Sequence, residues 1–347
     1  MINKINFILI IILLSLIFIN NNIENFESEQ NNDELVPKVE FPFKNILDEN
    51  GKRLNVILIS APFREIKHEE EYLKYKQLDL YICGITSYQE FPEHIINPFE
   101  SRFHEERYHD YFKMVDAWIH CFRNPSEQLK NSKVPLLFSS EADLKNTDHY
   151  IYDPIILQNK QYDFIYICLD DNDKCDPGWQ SHNRNWEVGK KCLEIMCGDY
   201  NLHGLLVGRV NCQLPEKCKD KIKVLPFLSF WEFQDELKKA KFIFVPNISD
   251  ASPRVISEAF CYNIPALVNY NIVGGWHNII PDITGEFFTS ELDIRPALNK
   301  ILKGKYSPRE WYVNNRGYKN SGAIFATFLV QNFPNLNNKN VRYVIIP

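Results

Sequence analysis

Short apolar runs closed by polar or turn-forming residues recur along the chain. Leu54–Ser60 (LNVILIS), Leu78–Ile85 (LDLYICGI), Val115–Cys121 and Val134–Ser140 (VPLLFSS) form a first series. Runs that are apolar throughout, rather than alternating, predict strands buried on both faces of a parallel sheet. A second series starts at Tyr162 (YDFIYICLDDND) and continues through HGLLVG, IKVLPFL, KFIFVPN and IPALVNY. Between these runs lie segments that read as helices: an amphipathic one from about Trp186, another in SFWEFQDELKKA, and a third opening at Ser252-Pro253. Strands alternating with helices predict βαβ units. The expected class is therefore α/β, with two Rossmann-like domains facing a cleft and the ligand at the carboxyl ends of the strands.

The expected boundaries are an N-terminal hydrophobic segment over 1–22, a stem over 23–50, a first Rossmann-like domain over 51–155 and a second over 156–320. A final helix and tail, SGAIFATFLVQNF onward, occupy 321–347 and are positioned to cross back to the first domain. Lys4 precedes the apolar run Phe7–Ile19, which is shorter than the ~20 residues that span a bilayer comfortably. Asn20, Asn21 and Asn22 follow in place of a small-residue cleavage site, so the segment reads as a signal anchor or a signal peptide. The expectation is a chain tethered to a membrane in the secretory pathway, with the cytoplasmic face as the alternative.

Composition narrows the partner. The 347 residues are 45% hydrophobic, enough for real cores, and carry a net charge of -6, which argues against a nucleic acid. Of nine cysteines, Cys83 and Cys168 sit in strand-like runs and read as core. Cys212 and Cys218 flank QLPEK and could close a small loop, with Cys175 pairing elsewhere. No CxxC pair or His/Cys spacing points to zinc. His104 and His109 fall in a charge-dense segment, Glu90–His109, that reads as loop and surface helix.

The candidate chemistry is in SDASPRVISEAFCYNIPALVN, Ser249–Asn269. Ser252 is a good N-cap and Pro253 a good first helical residue. The amides of Arg254 and Val255 would then face the cleft, where an anion is stabilised. Glu258 lies about one and a half turns further on, where a carboxylate can accept two hydrogen bonds from a vicinal diol. The bland reading is a solvated Asp250 and a Glu258 paired with a nearby cation. Downstream, Gly274-Gly275 can bring backbone close to a ligand, or can simply make a tight turn. A sequon, Asn247-Ile248-Ser249, abuts the stretch, and a glycan there would obstruct any site built on it.

Over Phe242–Phe288 the sequence resembles the donor-binding half of GT-B glycosyltransferases, in particular the retaining nucleotide-sugar family (glycosyl transferases group 1). That family carries an acid, seven residues, a Glu, an apolar strand, a Gly-Gly turn and a late TG loop. Here these are Asp250, Glu258, PALVN, Gly274-Gly275 and Thr284-Gly285. The resemblance implies that Glu258 binds the donor ribose and Asp250 contacts sugar hydroxyls. It places Ala251, Ser252, Pro253 and Arg254 along the diphosphate and Gly274-Gly275 near the sugar. The family's Arg and Lys after the second domain's first strand are missing; Arg184 is the best surrogate, ahead of Lys174. His120 matches the place of a cleft-facing His that bonds the donor sugar.

By this resemblance the protein would move a hexose-like sugar from a nucleotide-diphosphate sugar to a hydroxyl on a glycan, lipid or protein. Transfer would be retaining and metal-independent, with no other cofactor; an inverting route would need His120 or an acid near Glu105 as base. The chain departs from the family in having Asp for Glu at position 250 and SAPFRE in place of a Gly-rich loop after the first strand. Two alternatives stay open. One is a membrane-tethered, catalytically inactive sugar-nucleotide-binding protein. The other is a GT-A type enzyme holding a metal through Asp171 and Asp173.

Overall fold

The computed structural model describes residues 36–88, 91–93, 99, 105–154 and 159–347. The apolar run Phe7–Ile19, His104 and most of the segment before His109 lie outside the described residues. No helix among the described residues is long and apolar enough to cross a membrane.

The first sheet contains β1 (Phe43–Leu47), β2 (Arg53–Ile59), β3 (Tyr81–Ile85), β4 (Ala117–His120) and β5 (Leu136–Phe138), side by side in chain order. β2 to β5 are parallel, as the apolar runs predicted, and β1 closes the edge antiparallel to β2. β1 falls in the stretch read as a stem. Its FKNIL follows Phe41-Pro42 and runs into Asp48-Glu49-Asn50, and Phe43 and Ile46 are buried in the sheet's two faces. Short helices α1 (Ile66–Gln77), α2 (Tyr111–Met114) and α3 (Pro125–Gln128) connect these strands.

The second sheet holds β6 (Tyr162–Ile167), β7 (Gly204–Val207), β8 (Ile222–Leu225), β9 (Ala240–Val245), β10 (Ala266–Asn269) and β11 (Gly285–Phe288), all parallel. Their spatial order is β11-β10-β9-β6-β7-β8. The chain thus grows to one side of β6 through β7 and β8, then returns to the other side at β9. Where the order reverses, the connections leave opposite faces and a crevice opens beyond the carboxyl ends of β6 and β9.

Helices α4 (Trp179–Asn183), α5 (Trp186–Gly198), α6 (Phe230–Leu237), α7 (Arg254–Cys261), α8 (Ile294–Lys303), α9 (Pro308–Asn315) and α10 (Gly317–Asn332) complete the fold. One face of the second sheet buries Ile165, Leu205, Ile243 and Val268 against Ile256, Phe260 and Tyr312. The other buries Phe164, Leu206 and Phe242 against Leu193, Met196 and Leu298. α10 and the residues after it return to the first sheet, where Phe325, Leu329, Phe333 and Val344 pack on Leu58, Cys83 and Ile119.

The cysteines pair otherwise than the QLPEK spacing suggested. Cys175 bonds Cys212 and Cys197 bonds Cys218, with Cα–Cα distances of 5.2 and 5.3 Å. Cys212 and Cys218 do not meet. Helix α5 brings Cys197 beneath the loop holding Cys218, and the loops after β6 and β7 bring Cys175 to Cys212. Cys83 and Cys168 are buried and unbonded, as expected of core residues.

Candidate functional site

Beyond the crevice between β6 and β9 lies a cavity of about 850 Å³, enough for a nucleotide carrying a sugar. The second half supplies Arg184, Asn247, Asp250, Arg254 and Glu258, together with an apolar wall of Phe227, Phe230 and Phe233. The first half supplies Lys44, Tyr88, Glu141 and Lys145.

α7 begins one residue later than the sequence suggested: Pro253 occupies the cap position and Arg254 is the first helical residue. Ser252 does not cap it. Its hydroxyl accepts the amide of Ala142 at 3.1 Å, tying the first half to the start of α7. Arg254, Val255 and Glu258 all line the cavity from this helix. Glu258 is buried, with one carboxylate oxygen accepting Lys145 Nζ at 2.9 Å and the other accepting Gln234 Nε2 at 3.1 Å. The bland and the functional readings therefore meet. Glu258 is paired with a cation, and the pair stands on the cavity wall.

Asp250 is held from three sides. Its Oδ2 accepts Arg184 NH1 and, at 3.1 Å, Asn247 Nδ2, while its Oδ1 accepts the Ser252 amide at 3.1 Å. Arg184 follows α4 directly, and its carbonyl accepts the Tyr166 hydroxyl at 2.9 Å. Asn183 O accepts the Ile248 amide at 3.0 Å, so the loops after β6 and β9 are laced together. Lys174 is exposed and does not line the cavity. Tyr88 bridges to Asp250 across the halves and packs edge-on against Trp179 at 5.2 Å.

Of the cavity's cations, Lys44 pairs with Glu141 at 2.7 Å, Lys145 with Glu258 and Arg184 with Asp250. Arg254, exposed at the first turn of α7, has no acidic partner among the described residues. The positive end of a helix and an unpaired guanidinium thus share one corner of the site.

Ala251, Gly274, Gly275 and His120, also singled out in the sequence, do not line this cavity. Ala251 is fully buried beneath it. Gly274 and Gly275 pack against the loop behind it: a methyl on Gly274 would overlap the Ala251 carbonyl, and Gly275, at φ +73, leaves no room beside Pro253. Loop packing by itself already requires glycine at both positions. His120, expected to face the cleft, is buried between Phe122 and Phe138 at ring distances of 6.2 and 5.6 Å. Burial pushes its pKa down to about 4, so the ring is neutral near pH 7, and its Nδ1 has no hydrogen-bond partner among the described residues.

Asp171 is committed elsewhere. Its carboxylate accepts the amides of Gln180 and Ser181 at 2.6 and 3.0 Å and the Ser181 hydroxyl, fixing the start of α4, while Asp173 is exposed. Among the described residues no group of three or more His, Cys, Asp or Glu is arranged to hold a metal.

Asn247 was visible only as a sequon, and it is buried on Asp250. A glycan cannot be carried on that side chain in the folded protein. Lys145 and Tyr88 had no sequence signal, because their relation to α7 exists only after the halves meet.

A six-stranded parallel sheet with a switch point, a five-stranded sheet across a cleft that is parallel but for its edge strand β1, and a C-terminal helix crossing back define the GT-B type of α/β fold. No protein-family model matches the sequence, and no curated protein is similar to it. Among solved structures the chain is similar to TarM, at 10% identity over 73% of this chain and 50% of that one, with a TM-score of 0.50. It is similar to sucrose-phosphate synthase from Thermosynechococcus elongatus at 13% identity, over 76% of this chain and 71% of that one, with a TM-score of 0.51. The GtfA/B complex gives 11% identity, 80% and 57% coverage, and a TM-score of 0.53. The chain spans about half the length of TarM. These structural neighbours are GT-B glycosyltransferases, and at such identities the likeness is one of fold.

Proposed function

We propose that the protein is a glycosyltransferase that moves a sugar from a nucleotide-diphosphate sugar to a hydroxyl of a glycan, lipid or protein acceptor. The observation that carries this reading is Glu258, a buried carboxylate on the cavity wall one turn below the Arg254 end of α7. A diol fits the carboxylate, and a diphosphate fits the helix start and Arg254. Phe227, Phe230 and Phe233 offer an apolar wall for a base. The second sheet would be the donor half and the first the acceptor half.

Retention without a metal is the preferred route. The leaving diphosphate accepts the acceptor's proton, and the cations beside it stabilise the charge it gains. Arg184, bonded to Asp250, would take that role, and Asp250, also bonded to Asn247, would contact the donor sugar. The use of Asp171 to hold the amides of α4 supports this route over one through a metal at Asp171 and Asp173. Two disulfides support a location in the secretory pathway, since such bonds persist in oxidising compartments. The membrane tether through the N-terminal apolar run is part of the same proposal.

The test is thermal unfolding of the full chain with a panel of nucleoside diphosphates and nucleotide sugars, with and without EDTA. A ligand at 100 times its Kd adds about 2.7 kcal/mol to the folded state, a rise of several degrees in Tm. The expected result is stabilisation by one base that survives EDTA and is lost in Glu258→Gln. Binding without sugar release in the presence of acceptors would make the chain a sugar-nucleotide-binding protein. No shift with any nucleotide would remove the reading.

A further inference from the structure

The Lys145–Glu258 pair joins a residue from the first half to the residue on which the donor reading rests. The backbone of Lys145 is held from several sides. It follows the short turn Glu141–Leu144, closed by a capping box between Ser140 and Asp143. Asp143 in turn accepts His277 Nε2 at 2.9 Å and Asn278 Nδ2 at 2.7 Å. Ala142 O accepts the Tyr312 hydroxyl at 2.6 Å, and Lys145 O accepts the Tyr318 amide at 3.2 Å. From this anchored position the side chain reaches Glu258, with 20% of its surface exposed.

An ammonium has three donors, and the carboxylate it faces is the one that a ribose diol would claim. When the diol takes Glu258, the ammonium is left partly buried without its counter-ion, which is costly. The group that can replace the carboxylate is the diphosphate, which the proposed function places at the first turn of the same helix. Lys145 is the cavity cation whose acid partner is the one the ribose diol would claim.

We infer that Lys145 is a donor-binding residue whose ammonium passes from Glu258 to the nucleotide's diphosphate as the donor enters. This rests on the donor reading of the cavity. In the empty site the pair holds both charges satisfied, so a ligand must offer both a diol and a diphosphate to open it without loss. A nucleoside replaces one partner and strands the other. A nucleoside monophosphate reaches the lysine poorly. The pair therefore makes the site selective for the diphosphate, through a cation supplied by the half of the molecule opposite the donor sheet.

The experiment is calorimetric titration of the full chain with the nucleoside, mono- and diphosphate of uracil, guanine and adenine. Wild type is compared with Lys145→Met, Lys145→Arg and Lys145→Gln. Losing one charge-assisted contact corresponds to roughly 10- to 100-fold in affinity. The expected result is that Lys145→Met lowers the ratio of diphosphate to monophosphate affinity by that factor, while nucleoside affinity holds or rises. Lys145→Arg keeps the ratio high. An unchanged ratio in Lys145→Met, or equal losses for nucleoside and diphosphate, would overturn the inference and leave Lys145 a structural partner of Glu258. If Lys145→Met does not fold, the same ratio is read in Lys145→Gln, whose amide can still donate to Glu258 but carries no charge. Wild type binding no nucleotide at all would overturn the donor reading and this inference with it. Wild type binding diphosphates with an unchanged variant ratio would overturn the inference alone.

Discussion

Replacing Gly274 by alanine separates two reasons for a glycine beside a binding site. The added methyl would overlap the Ala251 carbonyl and stand 2.8 Å from the Ala251 Cα, and backbone atoms cannot rotate aside as a side-chain tip can. The Asp250–Ser252 loop must move, stretching the 3.0 Å bond from the Gly274 amide to Asp250 O. Overpacking of this kind costs about 1–3 kcal/mol, and a lost backbone bond about 1 more. The sum of roughly 2–4 kcal/mol corresponds to a fall in Tm of about 5–15 °C. Thermal unfolding followed by circular dichroism reads the first quantity, and calorimetric titration of the nucleotide that stabilises wild type reads the second. Both are expected to fall together in Gly274→Ala, because the displaced loop carries Asp250 and Ser252. An unchanged Tm with lost binding would mean that the glycine serves the ligand. An unchanged Tm with unchanged binding would mean that the loop does not pack as described, and the argument would fail.

Other measurements bear on the seams of the molecule. Burial opposes the charge on Asp143, yet His277, Asn278 and Arg316 outweigh it and hold the carboxyl below its ordinary range. Its stabilising contribution is thus present above about pH 4 and lost as pH falls through the depressed folded value. Asp143→Ala is expected to cost about 3–5 kcal/mol in urea unfolding, and an effect under about 1 kcal/mol would contradict the buried network. For His120, the folded ring resists a proton that the unfolded chain binds at its ordinary pKa. Stability should therefore decline as pH drops from the ordinary histidine range toward about 4, and His120→Phe should remove that slope. A thiol reagent should find no reactive cysteine in the native protein and five after denaturation, since the remaining cysteines are buried and four are bonded. Nine thiols without reductant would refute both bridges.

The strands were legible because both faces of each sheet are covered, so each run is apolar throughout. The helix bearing Glu258 was legible for a related reason: it follows a buried strand and starts at a proline. Asp250, Arg184 and Glu258 do converge on one cavity. What could not be read were relations between distant segments. Lys145 and Glu258 are 113 positions apart, and Asp143 and His277 are 134 apart, with no local pattern linking them. The glycine pair is open in sequence to a ligand or a tight turn, and the sequence does not show that Gly274 packs on the Ala251 carbonyl and Gly275 on Pro253. His120 was placed correctly at the end of a strand, but strand position does not say whether a ring turns to the cleft or into Phe122 and Phe138. β1 escaped because Lys44 and Asn45 break its apolar positions and a proline precedes it, so no continuous run marks the strand.

The return of α10 to the first sheet has a consequence for synthesis. The sheet's last strand ends at Phe138, yet the layer that covers one of its faces runs from Phe325 to Val344. At about 5–20 residues per second, a ribosome needs roughly 10–40 s to make what lies between. All six strands of the second sheet emerge within that interval and can assemble while the earlier one still shows Leu58, Cys83 and Ile119 to water. The half that is made first is finished last, and a chaperone would have its longest access there.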